Sequence, residues 1–200
     1  MGKNVVAPSF SDVHASSGST AGDLLMKLAD SPELVHDYGI VVLHVGTNDI
    51  GFKAEWCIFQ RFRQGLLNRG EYEHAVSVYP CYADPGQLGT FRKDVGDILN
   101  LIHMVNPNCS ILISAILPRV WDHFKRHHVR VEFNRVLQSF NCKRDRLFYI
   151  PSDKPFFYKD GGLKTQYFRP DGLHLSASGV SIFKSFIFEK VDKAIKGFLC

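Results

Sequence analysis

The chain has 200 residues, 45% of them hydrophobic, a length and composition that suit one α/β domain with a substantial core. Its formal net charge of +4 comes from dispersed residues, which argues against a nucleic-acid partner. Five widely spread cysteines without a Cys-x-x-Cys pair argue against a disulfide framework and against a structural zinc site.

The amino-terminal half alternates strand-like and helix-like segments. A weak strand pattern covers Val5 to Ala7, and Thr20 with Asp23 forms a capping box for a short helix. The run from Ile40 to Val45 is apolar and β-branched on both faces, as expected in the centre of a parallel sheet. Residues 51–89 show no clean period and predict a long loop, either a lid insertion or an irregular segment packed on its own aromatic residues.

The carboxyl-terminal half continues this alternation. A helix is predicted from Phe91 to Val105, and buried strands from Ile111 to Leu117 and from Leu147 to Ile150, with a further helix between the two strands. Ser176 is the expected N-cap of the last helix. The residues predicted to form the buried stripe of that helix are Val180, Phe183, Ile187, Val191 and Ile195.

This order of elements predicts a doubly wound parallel sheet with helices on both faces, a three-layer α/β/α fold. Binding groups in such sheets collect in loops at the carboxyl ends of strands. Asn48 follows a predicted strand, so its amide could donate to an oxyanion there. Asp171 precedes His174 by three residues, which lets its carboxylate orient the imidazole of a general base. These residues predict most of a serine-esterase site.

The segments around Asn48 and around His174 resemble sequence blocks of the SGNH (GDSL-like) hydrolases, whose name lists Ser, Gly, Asn and His. Gly46 to Asp49 is similar to the third block of the family, and Asp171 to His174 is similar to the fifth. Gly18, within Ser16 to Thr20, is similar to the second block. The resemblance runs from about Val13 to the C-terminus and implies the flavodoxin-like fold of that family for a single domain over residues 1–200.

The resemblance also implies roles for these residues. His174 would be acid and base, Asp171 its orienting carboxylate, and the Gly18 N–H and the Asn48 amide the oxyanion donors in acyl-ester hydrolysis through a serine acyl-enzyme. The first block, a Gly-Asp-Ser turn after the first strand, has no counterpart, because only seventeen residues precede Gly18. We therefore expect that the first strand of the family is missing and that the site is truncated or degenerate at the nucleophile.

The nucleophile stays unknown. A rival alignment takes Val5 to Ala7 as the first strand and offers Ser9 or Ser11 as a displaced nucleophile. Neither serine stands in the Gly-flanked elbow that exposes an attacking oxygen, which weighs against this alignment. Poorer candidates, which fall beside the oxyanion glycine, are Ser16, Ser17 and Ser19.

Three interpretations of function stay open. The chain could be an esterase domain with an incomplete site, a non-catalytic pseudo-esterase that serves as a binding or interaction module, or a fragment that folds only with its missing strand. No cofactor or metal is implied, and an active form would take a small acyl-ester substrate. His123 and His127 have the i, i+4 spacing of metal ligands, but Phe124 stands where the zinc-protease pattern requires glutamate.

Three segments also look like esterase-type domains of animal retroelement reading frames. They are Val41 to Ile50, Ile113 to Arg119 and Phe168 to His174. This second resemblance concerns origin only. The missing first block leaves two alternatives: either the remaining strands close up, or the chain is part of a longer polypeptide.

No targeting signal is visible in the sequence. The first twelve residues lack an apolar core followed by a small-residue cleavage site, as a signal peptide would require. The longest apolar runs are interrupted by His44 or by charged residues before they reach membrane-spanning length. We therefore expect an intracellular, cytoplasmic protein without a membrane partner.

Overall fold

The structure is a computed structural model that describes residues 12–15, 18–50, 61–77, 83–120, 124–141 and 146–197. The described part contains one parallel sheet, with strands in the order β1 (Ile40–Leu43), β2 (Ser110–Ser114) and β3 (Leu147–Ile150). Its helices are α1 (Ala21–Asp30), α2 (Glu33–His36), α3 (Arg69–Ser77), α4 (Pro85–Val105), α5 (Phe124–Gln138) and α6 (Ala177–Ile195). Two short 3₁₀ helices, Lys154–Phe156 and Thr165–Tyr167, lie between β3 and α6.

The strands pair so that all three carboxyl ends lie at one edge of the sheet. Leu43 of β1 is opposite Ile113 of β2, and Ser114 of β2 is opposite Ile150 of β3. The loops that follow the three strands therefore leave the sheet on the same side, where binding groups collect in parallel sheets.

Two apolar clusters lie on the two faces of the sheet. The larger cluster packs α1, α4 and α5 against the face that carries Leu43 and Ile113. The smaller cluster packs Ile187 of α6 against Leu112 and Ile150 on the opposite face. Alternate residues of a strand point to opposite faces, so the continuous apolar character of β2 serves both clusters. The predicted three-layer α/β/α fold is confirmed, with three strands in the described residues.

Helices α1 and α6 begin directly after the predicted N-cap residues. The Thr20 hydroxyl accepts the N–H of Asp23 and the Asp23 carboxylate accepts the N–H of Thr20, which completes the capping box of α1. Ser176 caps α6 as predicted. Helix α4 begins at Pro85, six residues before the predicted start, because the Asp84 carboxylate accepts the N–H of Gln87 and proline suits the first helical turn.

Strands β1 and β2 are shorter than their apolar runs predicted. The chain turns at Gly46, where φ is +105° and a Cβ atom would lie 2.4 Å from Ile116 Cδ1. Just after β2, the backbone N–H and carbonyl of Ile116 form hydrogen bonds with a side chain instead of with a neighbouring strand. Its N–H donates to Asn134 Oδ1 at 2.7 Å, and its carbonyl accepts from Asn134 Nδ2 at 3.1 Å. Apolar residues beyond the strands thus stay buried without extending the sheet.

A buried ion pair connects the ends of β2 and β3. The Arg130 side chain is 1% exposed, and its Nη1 atom lies 2.7 Å from Asp153 Oδ2. The same nitrogen reaches the Ile116 carbonyl at 3.4 Å, and the guanidinium lies 5.4 Å from the centre of the Phe157 ring. Helix α5 is thereby fixed to the loops that follow both strands.

Val180 and Ile195, predicted to be buried, are exposed. They lie in the first and last turns of α6, whereas the apolar cluster on this face of the sheet includes Ile187, Phe183 and Val191 of the same helix. In the predicted long loop 51–89, the described parts contain α3 and the start of α4, so they are partly helical. The predicted strand from Val5 to Ala7 lies outside the described residues.

In the described parts of the chain, every helix is too short or too polar to cross a lipid bilayer.

Candidate active site

His174 and Asp171 form a hydrogen-bonded pair before helix α6. His174 Nδ1 lies 2.9 Å from Asp171 Oδ2, and the His174 side chain is 61% exposed. Partial burial raises the pKa of Asp171, but hydrogen bonds from His174 and Leu173 outweigh it and hold this pKa below its ordinary value. An ionised carboxylate at Nδ1 favours a proton on that nitrogen and leaves Nε2 as the basic atom.

A tight backbone turn holds this pair in place. The Arg169 N–H donates to the His174 carbonyl at 2.7 Å, and the Gly172 N–H donates to the Arg169 carbonyl at 2.9 Å. Asp171 Oδ1 accepts the backbone N–H groups of Leu173 and His174 at 2.8 and 2.9 Å. The turn requires a φ of +68° at Gly172, a region that residues with a side chain rarely adopt. The aspartate therefore orients both the backbone and the ring of its histidine.

Asn48 and Gly18 are brought together at the carboxyl end of β1. The Asn48 Nδ2 atom donates to the carbonyl of Ser19 at 2.9 Å, and Ser19 directly follows Gly18, which has a φ of +79°. The side-chain amide and the glycine turn therefore belong to one small unit. In this structure one amide proton of Asn48 is thus engaged by the Ser19 carbonyl.

Asp49 is a further residue of this unit, and its position next to Asn48 in the sequence did not by itself indicate a role. Both of its carboxylate oxygens lie 3.0 Å from the backbone nitrogen of Ala21, the first residue of α1. Burial raises the pKa of Asp49, and the nearby Asp94 and Asp23 add to this effect against the opposing hydrogen bond from Ala21. Its contact fixes the start of α1, and with it the Gly18 turn, to the loop that carries Asn48. Two features of the sequence could have indicated this contact: the acidic residue next to Asn48, and the start of a helix, which attracts negative charge.

The two halves of the candidate site share the carboxyl edge of the sheet. Asn48 follows β1 by five residues. The loop after β2 reaches the histidine turn, because the Val120 N–H donates to the Gly172 carbonyl at 2.8 Å. Arg63, in the segment predicted as a long loop, donates from Nη1 to the carbonyl of Pro170. Part of this segment thus contacts the loop that carries Asp171 and His174.

A second histidine lies at the same edge. His44 Nδ1 is 3.0 Å from Ser114 Oγ, and Ser114 Oγ is 2.7 Å from Ser152 Oγ, which also reaches the Ala115 carbonyl at 3.2 Å. The His44 side chain keeps access to solvent, yet the protein packed around the ring disfavours the imidazolium and lowers the pKa of His44 to about 4. His44 is therefore neutral near pH 7 and contributes a hydrogen bond at the strand ends.

The described serines leave the nucleophile unassigned. Ser9, Ser11, Ser16 and Ser17 lie outside the described residues. Ser19 is described, and its carbonyl is occupied by Asn48. Ser114 and Ser152 are completely buried, so a substrate cannot reach their hydroxyls in this structure. In the same described ranges, three or more His, Cys, Asp or Glu side chains nowhere gather as a metal-binding group.

Comparison with known proteins supports the family resemblance. The model of the GDSL-like Lipase/Acylhydrolase family matches residues 4–182. No curated protein sequence matches the chain at a significant level.

Solved structures of esterases and lipases are similar to this fold. A GDSL-like lipase from Bacteroides thetaiotaomicron has a TM-score of 0.56 and 18% identity, with 89% of this chain and 73% of that chain covered. A carbohydrate esterase of family 3 from Talaromyces cellulolyticus has a TM-score of 0.57 and 16% identity, covering 98% and 81%. A mutant acetyl esterase solved with an acetate ion has a TM-score of 0.56 and 17% identity, covering 90% and 70%.

At these identities the structural neighbours establish the fold alone, whereas the family model matches most of the sequence. The chain therefore belongs to the GDSL-like lipase/acylhydrolase family.

Proposed function

We propose that this chain carries the acid-base and oxyanion parts of a site that hydrolyses acyl esters. The observation that carries the proposal is the His174 to Asp171 hydrogen bond of 2.9 Å, on a turn that the Val120 N–H connects to the loop after β2. The family match supports hydrolase chemistry. The neighbours named as carbohydrate and acetyl esterases make short acyl esters the first substrates to test.

The proposed reaction proceeds through a serine ester. A serine hydroxyl attacks the ester carbonyl while His174 Nε2 takes its proton, and Asp171 stabilises the resulting imidazolium. The Gly18 N–H and the Asn48 amide donate to the oxyanion. The alcohol leaves with the proton from His174. Water, deprotonated by the same nitrogen, then attacks the acyl-serine and releases the carboxylic acid.

We further propose that the serine is absent or displaced, so that the 200-residue chain is deficient in catalysis. Loss of a triad member leaves only the weak catalysis that an oxyanion hole and substrate binding provide. We expect little or no turnover of short-chain p-nitrophenyl esters and no labelling by a fluorophosphonate probe. Robust labelling that maps to Ser9 or Ser11 would instead establish the rival alignment.

A repaired chain tests the whole proposal. An amino-terminal extension that supplies a first strand, its Gly-Asp-Ser turn and the following helix should raise ester hydrolysis well above that of the original chain. Four proteins are compared: the original chain, the repaired chain, the repaired chain with His174→Ala, and the repaired chain with the added serine changed to alanine. Both substitutions should remove most turnover and leave the melting temperature nearly unchanged.

A repaired chain that folds but stays inactive would contradict the hydrolase proposal. The loss of the serine would then not be the only defect. That outcome would favour the second interpretation, a non-catalytic pseudo-esterase that acts as a binding or interaction module.

A further inference from the structure

Arg63 lies in a helical turn that is closed at its carboxyl end. The chain is helical at Arg63. The Leu66 N–H donates to the Arg61 carbonyl at 2.9 Å, and the Gly65 N–H donates to the Phe62 carbonyl at 3.0 Å. Gly65 has a φ of +71°, and two such hydrogen bonds around a left-handed glycine form the Schellman motif that ends many helices. The motif therefore gives Arg63 a defined backbone position.

The Arg63 side chain contacts the turn that carries the candidate acid-base pair. Its Nη1 atom donates to the carbonyl of Pro170, 107 residues further along the chain. Pro170 directly precedes Asp171, and proline has no N–H, so this carbonyl is the single polar group of its backbone. Hydrogen bonds from charged donors are stronger than those between neutral groups. Arg63 thus supplies the turn with a directional contact from a distant segment.

This contact acts at a different place from the other contacts of the turn. Asp171 Oδ1 accepts the N–H of His174 at 2.9 Å, and the Val120 N–H donates to the Gly172 carbonyl at 2.8 Å. Arg63 instead holds the peptide group that leads into Asp171. Because a peptide group is planar, the direction of its carbonyl also sets the position of the Asp171 Cα atom, from which the carboxylate extends.

We propose that Arg63 is a positioning residue for the pair of His174 and Asp171, a role that rests on the proposed function of that pair. By holding the Pro170 carbonyl, the guanidinium fixes the peptide plane next to Asp171. The 2.9 Å contact between the carboxylate and the imidazole then keeps one geometry. Loss of the Arg63 contact leaves both residues in place but lets the carboxylate move relative to the ring.

An arginine suits this task better than a lysine. Its planar guanidinium presents N–H donors in fixed directions, whereas the ammonium group of lysine lies at the end of a flexible stem. Both side chains carry a positive charge, so Arg63→Lys separates the direction of the contact from its charge. The lysine variant should therefore keep only part of the effect.

Amide hydrogen exchange on the 200-residue chain tests this proposal without ester hydrolysis. The probes are the N–H groups of Leu173 and His174, which donate to Asp171. Arg63→Gln should speed their exchange about fivefold or more, because local opening of the turn governs these amides. Arg61→Gln, the matched control, makes the same change two residues earlier and should leave their exchange unaltered.

Nitrogen NMR of the His174 ring separates positioning from general stabilisation. In the unmodified chain the Asp171 carboxylate favours a proton on Nδ1. In Arg63→Gln part of the population should shift to the form protonated at Nε2, and Arg63→Lys should give an intermediate shift. The urea midpoint should stay nearly unchanged in both variants, because the Arg63 side chain is exposed.

A second pair of variants changes how the arginine is presented and keeps its side chain. Gly65→Ala requires a residue with a side chain to adopt a φ of +71°, so the helical turn should loosen and exchange at Leu173 and His174 should become faster. Gly65→Asn should restore most of the protection, because asparagine tolerates this backbone conformation better.

In the repaired chain, Arg63→Gln should lower kcat about fivefold or more and leave KM nearly unchanged. An inactive repaired chain would contradict the hydrolase proposal, whereas exchange and NMR would still decide whether Arg63 positions the pair. The positioning role is wrong if Arg63→Gln leaves exchange at Leu173 and His174 unchanged, or if Arg61→Gln speeds it equally. It is also wrong if exchange becomes faster while the tautomer of the ring stays the same, because Arg63 would then support the backbone alone.

Discussion

The hydrogen bond between His174 and Asp171 favours a proton on the Nδ1 atom of the ring. Asp171 also accepts the backbone N–H groups of Leu173 and His174, so one side chain contacts both the turn and the ring. These two tasks can be separated by mutation, because an asparagine oxygen can still accept the backbone N–H groups while it no longer offers a carboxylate to the ring.

Asp171→Asn should change the tautomer of His174 and leave stability almost unaltered. The asparagine can present an NH₂ group to Nδ1, which then acts as acceptor and shifts the proton to Nε2. Nitrogen NMR of the His174 ring measures this shift, and urea unfolding should change by no more than about 0.5 kcal/mol. An unchanged tautomer would mean that Asp171 does not orient the ring. Asp160→Asn, in an exposed turn, is the control.

His44 should make the folded state sensitive to mild acid. Its pKa is lowered to about 4 in the folded protein, against about 6.5 in the unfolded chain. Between these values the unfolded state binds more protons, so this contribution to stability is complete above about pH 6.5 and is lost as the pH falls toward about 4. Thermal unfolding from neutral to mildly acidic pH should show a smaller decrease for His44→Gln than for the unmodified chain. Equal decreases would contradict the assignment.

At the scale of elements, polar side chains of α5 hold the ends of the strands. Asn134 replaces a strand partner for Ile116, and Arg130 joins the loops after β2 and β3 through Asp153. These contacts are made directly after β2 and β3, at the carboxyl edge of the sheet. Helix α5 therefore supports the carboxyl edge by hydrogen bonds as well as by apolar packing.

Asn134→Leu should destabilise the fold strongly. The substitution removes the partner of the buried Ile116 N–H and leaves the Ile116 carbonyl only the 3.4 Å contact with Arg130, which costs about 2 to 3 kcal/mol. Gln138→Leu, on the exposed side of the same helix, is the matched control and should change stability by no more than about 0.5 kcal/mol. Urea unfolding of both variants gives the comparison. Similar losses would show that the Asn134 hydrogen bonds contribute little.

Asp153→Ala should cost more stability than Arg130→Met. Removal of the carboxylate leaves a buried guanidinium without its counterion, a loss of about 3 kcal/mol or more, whereas methionine removes the charge and fills a similar volume. The aspartate that stays after Arg130→Met retains some contact with water. Chemical unfolding measures both changes, and the reverse order would show that packing of the Arg130 side chain dominates.

At the scale of the whole molecule, β2 is the centre of stability. It lies between β1 and β3 and contributes to the apolar clusters on both faces, and Leu112 and Ile113 are completely buried. The candidate site, in contrast, consists of loops that leave the sheet at its carboxyl edge. Its residues can therefore change with little effect on the core.

Native-state hydrogen exchange should follow this arrangement. Amides of Leu112 and Ile113 should exchange only through global unfolding, so their exchange free energy should equal the free energy of unfolding from urea denaturation. Amides of the Asp171 to His174 turn should exchange through local opening at lower free energy. If the amides of β2 and of the turn exchanged at equal free energy, the turn would not open independently of the core, and the prediction would be wrong.

The sequence by itself determined the family, the three-layer fold, the capping residues of α1 and α6, and the location of β3. These features depend on residues close in the chain: a cap and its N–H donor are three residues apart, and strands appear as short apolar runs. The spacing of Asp171 and His174 likewise predicted their contact, because three residues suffice to place a carboxylate beside a ring. The roles of these two residues, of Asn48 and of Gly18 stay predictions.

Only the tertiary structure decided where the strands end and which polar residues are buried. Ile116 leaves the sheet because Asn134, eighteen residues away, satisfies its backbone, and Asp49 acquires its position from Ala21 across twenty-eight residues. Such partners follow no local period. Val180 and Ile195 have the spacing of buried residues, but they lie in the terminal turns of α6, outside the apolar cluster that packs on the sheet. Whether a residue is buried depends on which residues pack against it. These neighbours come from distant segments of the chain, so only the folded structure determines them.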